Sequence, residues 1–385
     1  MSQRCHERTL NRLIHDAIQS GSPGLSVAIA NKEGVLWTGV AGLADLGKGS
    51  AVQTDHLFGI GSITKTFVAV VILQLAAEGR LSLQATAMDI LGTDAIAAVP
   101  NAAQATLAQL LNHTAGVPSW EDDPLWIREG RGAQQDVARC WSPAATLRYI
   151  EQTPPTNAPG EQYAYANTHY TLLGLVIEKV CASDLVAEIH QRILSPLQVS
   201  DIYLEGFQAL PTARLAKRYH YSSADFIRDA GIHRSFPEVS KGLVDVSASN
   251  LSVEWAAGGM VATASALARF SVGLHTGKLL DPTSMGLMQR WFPVIDRVHA
   301  GCGLFQVETK QGRKLLGHTG GVLGYSASMQ WSEADQLALV VLSNVGSMHS
   351  GAGVPNATGI ATCDEFINAA REYAAQSQGI ASAQS

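Results

Sequence analysis

The chain has 385 residues, 46% of them hydrophobic and 16% charged, with a net charge of −6. That composition supports a sizeable buried core and excludes disorder as the default; the negative balance, with Lys and Arg scattered singly, excludes a nucleic-acid backbone as partner. The longest mainly apolar run, Phe67 to Ala77, is bounded by Lys65 and Glu78 and falls well short of the ~20 residues of a membrane span, so it reads as a core helix and no membrane partner is expected.

The opening residues, Met1 to Arg8, are polar and lack the apolar stretch and cleavage site of a secretory signal, which points to a cytoplasmic protein. A helical pattern follows (Leu10, Leu13, Ile14, Ala17, Ile18) and breaks at Gly21-Ser22-Pro23-Gly24. Leu25–Ala30 and Val35–Val40 are β-rich and flank Asn31-Lys32-Glu33-Gly34, a good hairpin turn. From Ser62 to about Leu197 the periodicity predicts helices over Thr64–Glu78, Thr106–Leu111, Ala144–Gln152, Tyr170–Cys181 and Leu185–Leu194. The segments Trp120–Gln135 and Leu210–Asn250 read as loop-rich excursions of the kind that shape binding sites. Strands return at Gly303–Glu308, Lys314–His318, Tyr325–Trp331 and Gln336–Ser343, before a terminal helix around Cys363–Ala375.

Strands at both ends and helices between predict a mixed α/β (α+β) fold: one antiparallel sheet built from both chain ends, flanked by the terminal helices, with a mainly helical region inserted. Residues 1–61 and 251–385 would form the sheet region and 62–250 the insert, in one compact catalytic unit with a cleft between the parts. The five cysteines (Cys5, Cys140, Cys181, Cys302, Cys363) are odd in number and widely spread, and are expected to be free buried thiols rather than disulfides or metal ligands.

Three short motifs carry chemistry. In Gly61-Ser62-Ile63-Thr64-Lys65, a helix start places Ser62 and Lys65 on one face, and burial would lower the pKa of Lys65 so that it serves as a base. Alone, the pair is a weak signal and reads as a helix cap with a solvated lysine. In Tyr165-Ala166-Asn167, a loop tyrosine near Lys65 could relay a proton while Asn167 orients a substrate amide and Lys65; the plain reading is a packed aromatic and a capping asparagine. In Gly317-His318-Thr319-Gly320-Gly321, between two predicted strands, the glycines allow close approach of a substrate and His318 adds an imidazole that titrates near neutral pH; the plain reading is a Gly-rich hairpin with a surface histidine.

Together and in this order, the motifs resemble those of the serine β-lactamase and D-alanyl-D-alanine carboxypeptidase superfamily, as do Phe58-Gly59-Ile60-Gly61-Ser62, Leu110-Leu111-Asn112-His113-Thr114-Ala115-Gly116 and Ser195-Pro196-Leu197. The resemblance spans roughly Gly24 to Asn344. It implies Ser62 as nucleophile, Lys65 and Tyr165 as acid and base in an order left open, and Asn167, His318, Thr319 and Gly320 as substrate-positioning residues. Backbone N–H groups of Ser62 and Gly321 would take the oxyanion, Trp255 would line the cleft or, equally, pack as a core tryptophan against the sheet, and His113 would hold a loop. No metal or organic cofactor is implied.

His318 stands where most β-lactamases of the superfamily carry Lys, which resembles the D-aminopeptidase and D-stereospecific peptidase branch. The stretch Gly301-Cys302-Gly303-Leu304-Phe305-Gln306-Val307 carries no cation before Lys310, where carboxypeptidase-like members place an arginine for the substrate carboxylate. The expectation is therefore a serine hydrolase acting on a small molecule or short peptide: an amide or peptide with D-residues among the candidates, or an ester, with a pH dependence in the imidazole range if His318 contacts substrate. The rivals are an acyltransferase or peptide cyclase on the same scaffold and a non-catalytic penicillin-binding sensor. Substrate and oligomeric state stay open.

Overall fold

A computed structural model of the chain describes residues 3–352 and 354–382. Met1 and Ser2 of the polar N-terminal segment, and the last three residues of the stretch assigned to the sheet region, lie outside the described residues. The fold is built on a nine-stranded antiparallel sheet. Its strands are β1 (Gly24–Asn31), β2 (Gly34–Asp45), β3 (Ser50–Ala51), β4 (Phe292–Ile295), β5 (Val298–Ala300), β6 (Phe305–Glu308), β7 (Lys314–Val322), β8 (Tyr325–Ser332) and β9 (Leu337–Ser343), in the spatial order β4-β5-β6-β7-β8-β9-β1-β2-β3. The N-terminal hairpin joins the C-terminal meander through β1 and β9, in register from Leu25 opposite Ser343 to Ala30 opposite Ala338. The mixed fold with a sheet from both chain ends is as the element order predicts.

The two-residue period of these strands sorts their side chains into two cores. Leu25, Val27 and Ile29 of β1, with Leu337, Leu339 and Val341 of β9, pack under the terminal helices α1 (Gln3–Gln19) and α6 (Asp364–Ser382) through Leu10, Ile14, Phe366, Ile367 and Ala370. The alternate residues, Ala28 and Ala30 with Val340 and Leu342, join the main core beneath α2 (Thr64–Ala77) and α5 (Ala264–His275). Both central strands are thus buried on both faces, and their near-continuous apolar runs follow from that. Between α2 and α5, the rings of Phe67 and Phe270 stack with centroids 3.7 Å apart. The remaining two labelled helices, α3 (Asn167–Cys181) and the short α4 (Trp255–Gly258), pack on α2 from the other side.

Two smaller sheets frame the site. Phe58–Gly59, Met260–Ala262 and Ile202–Leu204 form one, with Met260–Ala262 in the middle. Strands within Leu210–Asn250 (Tyr219–Tyr221, Glu238–Ser240, Leu243–Asp245) form the other with Val345–Gly346, so that excursion carries its own sheet and a helix at Ala224–Asp229. The helix expected over Ala144–Gln152 is only a tight turn at Ala145–Tyr149. Pro143 before it and Pro154-Pro155 after it leave too few residues for helix propagation. The Trp120–Gln135 excursion is a set of packed helical turns that bury Trp120, Trp126 and Arg131.

The cysteines form no disulfide, but only Cys302 is buried; Cys140 and Cys363 are exposed and Cys181 half-buried, because their positions fall on the outer faces of their segments. Among the described residues no helix is long and apolar enough to cross a membrane. Phe67→Ala should lower stability by about 3–5 kcal/mol, because the cavity would open against the fully buried ring of Phe270 between the two helices; denaturant unfolding measures it.

Candidate active site

Ser62 sits in a single tight turn, Gly61–Ile63, that runs directly into α2. The turn is held from both sides by backbone. Ile60 N donates to Met260 O at 2.9 Å, and Thr64 Oγ1 accepts from Met260 N at 3.2 Å. On the opposite side β7 passes so close that a Cβ on Gly320 would stand 1.9 Å from Ile60 O, and one on Gly61, where φ is +52°, would stand 2.7 Å from Gly321 N. These two glycines allow the approach that carries Gly321 N to the turn holding Ser62. The triplet His318-Thr319-Gly320 lies inside strand β7 rather than after it, since pairing with β8 continues to Val322 opposite Tyr325.

Lys65, one turn along α2, is fully buried. Its Nζ donates to Ser62 Oγ at 2.9 Å, Asn167 Oδ1 at 2.7 Å and Ala257 O at 2.6 Å. Tyr165 OH donates to Ser62 Oγ at 2.8 Å, and its ring centroid lies 5.0 Å from Lys65 Nζ. The nucleophile candidate, half-buried, therefore stands between an amine and a phenol. Burial brings Lys65 down to about 7, against the pull of the Glu121 and Glu254 carboxylates and with help from Arg131. Burial likewise pushes the Tyr165 phenol well above its ordinary value, although its bond to Ser62 opposes this.

Asn167 opens α3 without capping it; Ala166 takes the cap position, with no side-chain bond. The Asn167 side chain bridges instead, with Oδ1 facing Lys65 and Nδ2 donating to Glu121. His113, backbone at φ +61°, faces His169 through Nδ1 at 3.0 Å, while Ala164 N donates to its carbonyl at 2.8 Å and its ring lies 4.3 Å from that of Tyr165. It secures the loop that delivers Tyr165, as expected.

His318 departs from expectation. Burial drives the His318 imidazole down to about 3, with Lys65 adding to the effect, so it is neutral at ordinary pH and supplies no cation. Its Nδ1 faces Thr319 O at 2.5 Å, which makes Nδ1 the protonated nitrogen and leaves Nε2 as an acceptor with no protein partner. Of the two readings of Trp255, the buried one fits its surroundings: it is 2% exposed and its ring lies over Gly174 of α3, where a Cβ would come within 2.7 Å. Thr319 is exposed and Gly321 and Phe305 are half-buried on the open side of the site.

Three charged residues escape sequence reasoning. Glu121 and Glu254 converge on the buried Arg131, whose NH2 group lies 2.6 Å from Glu121 Oε1 and 2.8 Å from Glu254 Oε1. The guanidinium also lies 4.8 Å from the Trp126 ring. A signal was present for two of them: Glu121 follows Trp120 and Glu254 lies between Val253 and Trp255, whereas Arg131, between Gly130 and Gly132, gives none. Among the described residues no group of three or more His, Cys, Asp or Glu side chains is arranged to hold a metal ion.

A family model described as Beta-lactamase matches residues 10–358. Among curated proteins, the chain is 29% identical over 232 residues to esterase EstB of Burkholderia gladioli, covering 55% of each. The chain spans about half the length of the curated relatives it matches. Among solved structures, a D-stereospecific amidohydrolase from Streptomyces sp. superimposes with a TM-score of 0.77 at 27% identity, covering 92% of this chain and 98% of that one. A D-amino acid amidase from Ochrobactrum anthropi SV3 shares the fold with a TM-score of 0.80 at 23% identity, covering 97% and 99%.

Gly320→Ala should cost about 1–3 kcal/mol of stability, because strand backbone and turn backbone meet there and neither can rotate away. Ser62→Ala, which deletes one exposed-side hydroxyl, should stay within about 0.5 kcal/mol of the parent. Thermal and denaturant unfolding of both variants measure the contrast.

Proposed function

The chain belongs to the beta-lactamase family, and on that premise we propose that it is a serine hydrolase that cleaves a small amide, peptide or ester through an acyl-enzyme on Ser62. One observation carries the reading: Ser62 Oγ lies within hydrogen-bond reach of both Lys65 Nζ and Tyr165 OH. The hydrogen-bond inventory then favours one division of labour. Asn167 Oδ1 and Ala257 O can only accept, so a neutral Lys65 amine gives them its two N–H groups and turns its lone pair to the one partner that owns a proton, Ser62. With burial holding Lys65 near neutrality and keeping Tyr165 protonated, Lys65 is the base and Tyr165 the acid.

In the first step the Ser62 proton passes to Lys65 as Oγ attacks the substrate carbonyl. The tetrahedral oxyanion is received by the backbone N–H groups of Ser62 and Gly321. As the intermediate collapses, the bond to the leaving amine or alcohol breaks and Tyr165 protonates it; the proton held by Lys65 then restores the phenol. Water repeats the sequence on the ester carbonyl and releases Ser62.

His318 shapes the substrate reading. Burial keeps the His318 imidazole neutral, so it gives no charge to a free carboxylate. Amides, peptides blocked at the carboxyl end and esters are therefore preferred over acids. The relation to a D-stereospecific amidohydrolase and to an esterase supports both leaving groups; the same scaffold would serve acyl transfer if an amine replaced water. Asn167, Thr319 and Gly320 are assigned to positioning the substrate.

Ser62→Ala should abolish turnover across a panel of D- and L-amides, blocked and free peptides, esters and β-lactams; full retention would refute the nucleophile. Because the neutral amine is the working form, kcat/KM should rise with pH through a midpoint of about 7 and fall away in acid. His318→Gln should leave that midpoint in place, since the imidazole carries no charge over the range; a rate profile flat through neutrality would overturn the assignment of Lys65.

A further inference from the structure

The buried charges behind Lys65 form a chain that the proposed chemistry does not itself use. Arg131 is 1% exposed and sits between Glu121, from the turn Trp120–Asp122, and Glu254, from the residue preceding α4. Each glutamate is linked to the lysine by a different route, Glu121 through its carboxylate and Glu254 through its backbone carbonyl. Glu121 accepts from Asn167 Nδ2, and Asn167 Oδ1 in turn accepts from Lys65. Glu254 lies at the start of the turn in which its carbonyl accepts from Ala257 N at 2.8 Å, and Ala257 O accepts from Lys65. Two of the three polar partners of Lys65 are thus held by residues that Arg131 ties together.

We propose that Arg131 is the positioning residue of the site: clamped between Glu121 and Glu254, it fixes the Asn167 amide with its oxygen toward Lys65 and offsets carboxylate charge that would otherwise hold Lys65 as an ammonium. The first part follows from geometry. An ionised Glu121 accepts only from an N–H, so the amide nitrogen of Asn167 must face it and the oxygen must face Lys65. A flipped amide would set its oxygen against the Glu121 carboxylate and turn a donor toward the lysine. The second part follows from charge. Two carboxylates and one guanidinium leave a net charge of one negative beside the amine; removing the guanidinium doubles it, and removing one carboxylate cancels it.

Every other element against Lys65 offers a group that is neutral at ordinary pH: Ser62, Tyr165 and Tyr170 from the turn, the loop and α3, and, further off, His113, His169 and His318, all driven down by burial. The charge balance at Lys65 is therefore set by Glu121, Glu254 and Arg131. Burial pushes the Glu254 carboxyl above its usual range and Arg131 draws it back, as a clamp of this kind requires.

The inference rests on the proposed role of Lys65, and its test separates the two. In Ser62→Ala protein carrying isotope-labelled lysine, NMR titration reads the Lys65 midpoint without any catalysis. Glu254→Gln should lower that midpoint by about one pH unit and Arg131→Met should raise it by about one; the double variant Arg131→Met with Glu254→Gln, which restores the net charge, should return toward the parent. With Ser62 present, the acid limb of kcat/KM should move in the same directions while KM stays near its parent value. An unmoved Lys65 midpoint in Glu254→Gln overturns the inference, even if Arg131→Met fails to fold. Midpoints that shift while the kinetic limb does not would uphold the clamp and refute Lys65 as the base.

Discussion

An amine withdrawn wholly from water is the constraint on which the site depends. A buried lysine is costly unless it is neutralised or enclosed by acceptors, and here both conditions are met. Three oxygens from three separate parts of the chain surround Lys65 Nζ, and the nearest formal charges stand one residue further back. The short α4, the start of α3 and the turn before α2 have to meet within one hydrogen-bond length of a single nitrogen. The main core under α2 exists in large part to make that meeting rigid.

Backbone contact supplies the rest of the rigidity. The turn bearing Ser62 is gripped between the Met260–Ala262 strand and β7, by backbone contacts and by the single Thr64 hydroxyl that accepts from Met260 N. The placing of Gly321 N beside the Ser62 turn is then a property of main-chain packing, with glycine required at positions 61 and 320 by the space available. Side-chain variation at Thr319 or Phe305 can alter what is bound while the reacting atoms stay in register.

Much of this was legible in the sequence. The terminal helices, the hairpin and the closing strands follow from period and turn residues, and the meeting of Ser62, Lys65, Tyr165 and Asn167 follows from three motifs in order. What was hidden depended on tertiary burial. Nothing local says that Trp255 turns inward over Gly174, or that His318, in a stretch resembling a hairpin, is enclosed tightly enough to lose its charge. Glu121 and Arg131 lie in a segment that reads as solvent-exposed because its charges are numerous; only the packing of Trp120 and Trp126 shows that two of those charges face inward. Single-residue polarity misleads where opposite charges are buried together.

The pairing of β1 with β9 has a bearing on how the molecule comes into being. Leu25 finds its partner at Ser343, so the sheet stays open along one of its most apolar strands until synthesis has passed Ser343. Closing so long a loop is slow, and the waiting edge is a template for pairing with another chain. Ser62 and Lys65 are made early and Gly321 much later, so the turn and the strand that flanks it meet only after both have been synthesised. Until β9 arrives, the open edge of β1 carries a risk of aggregation.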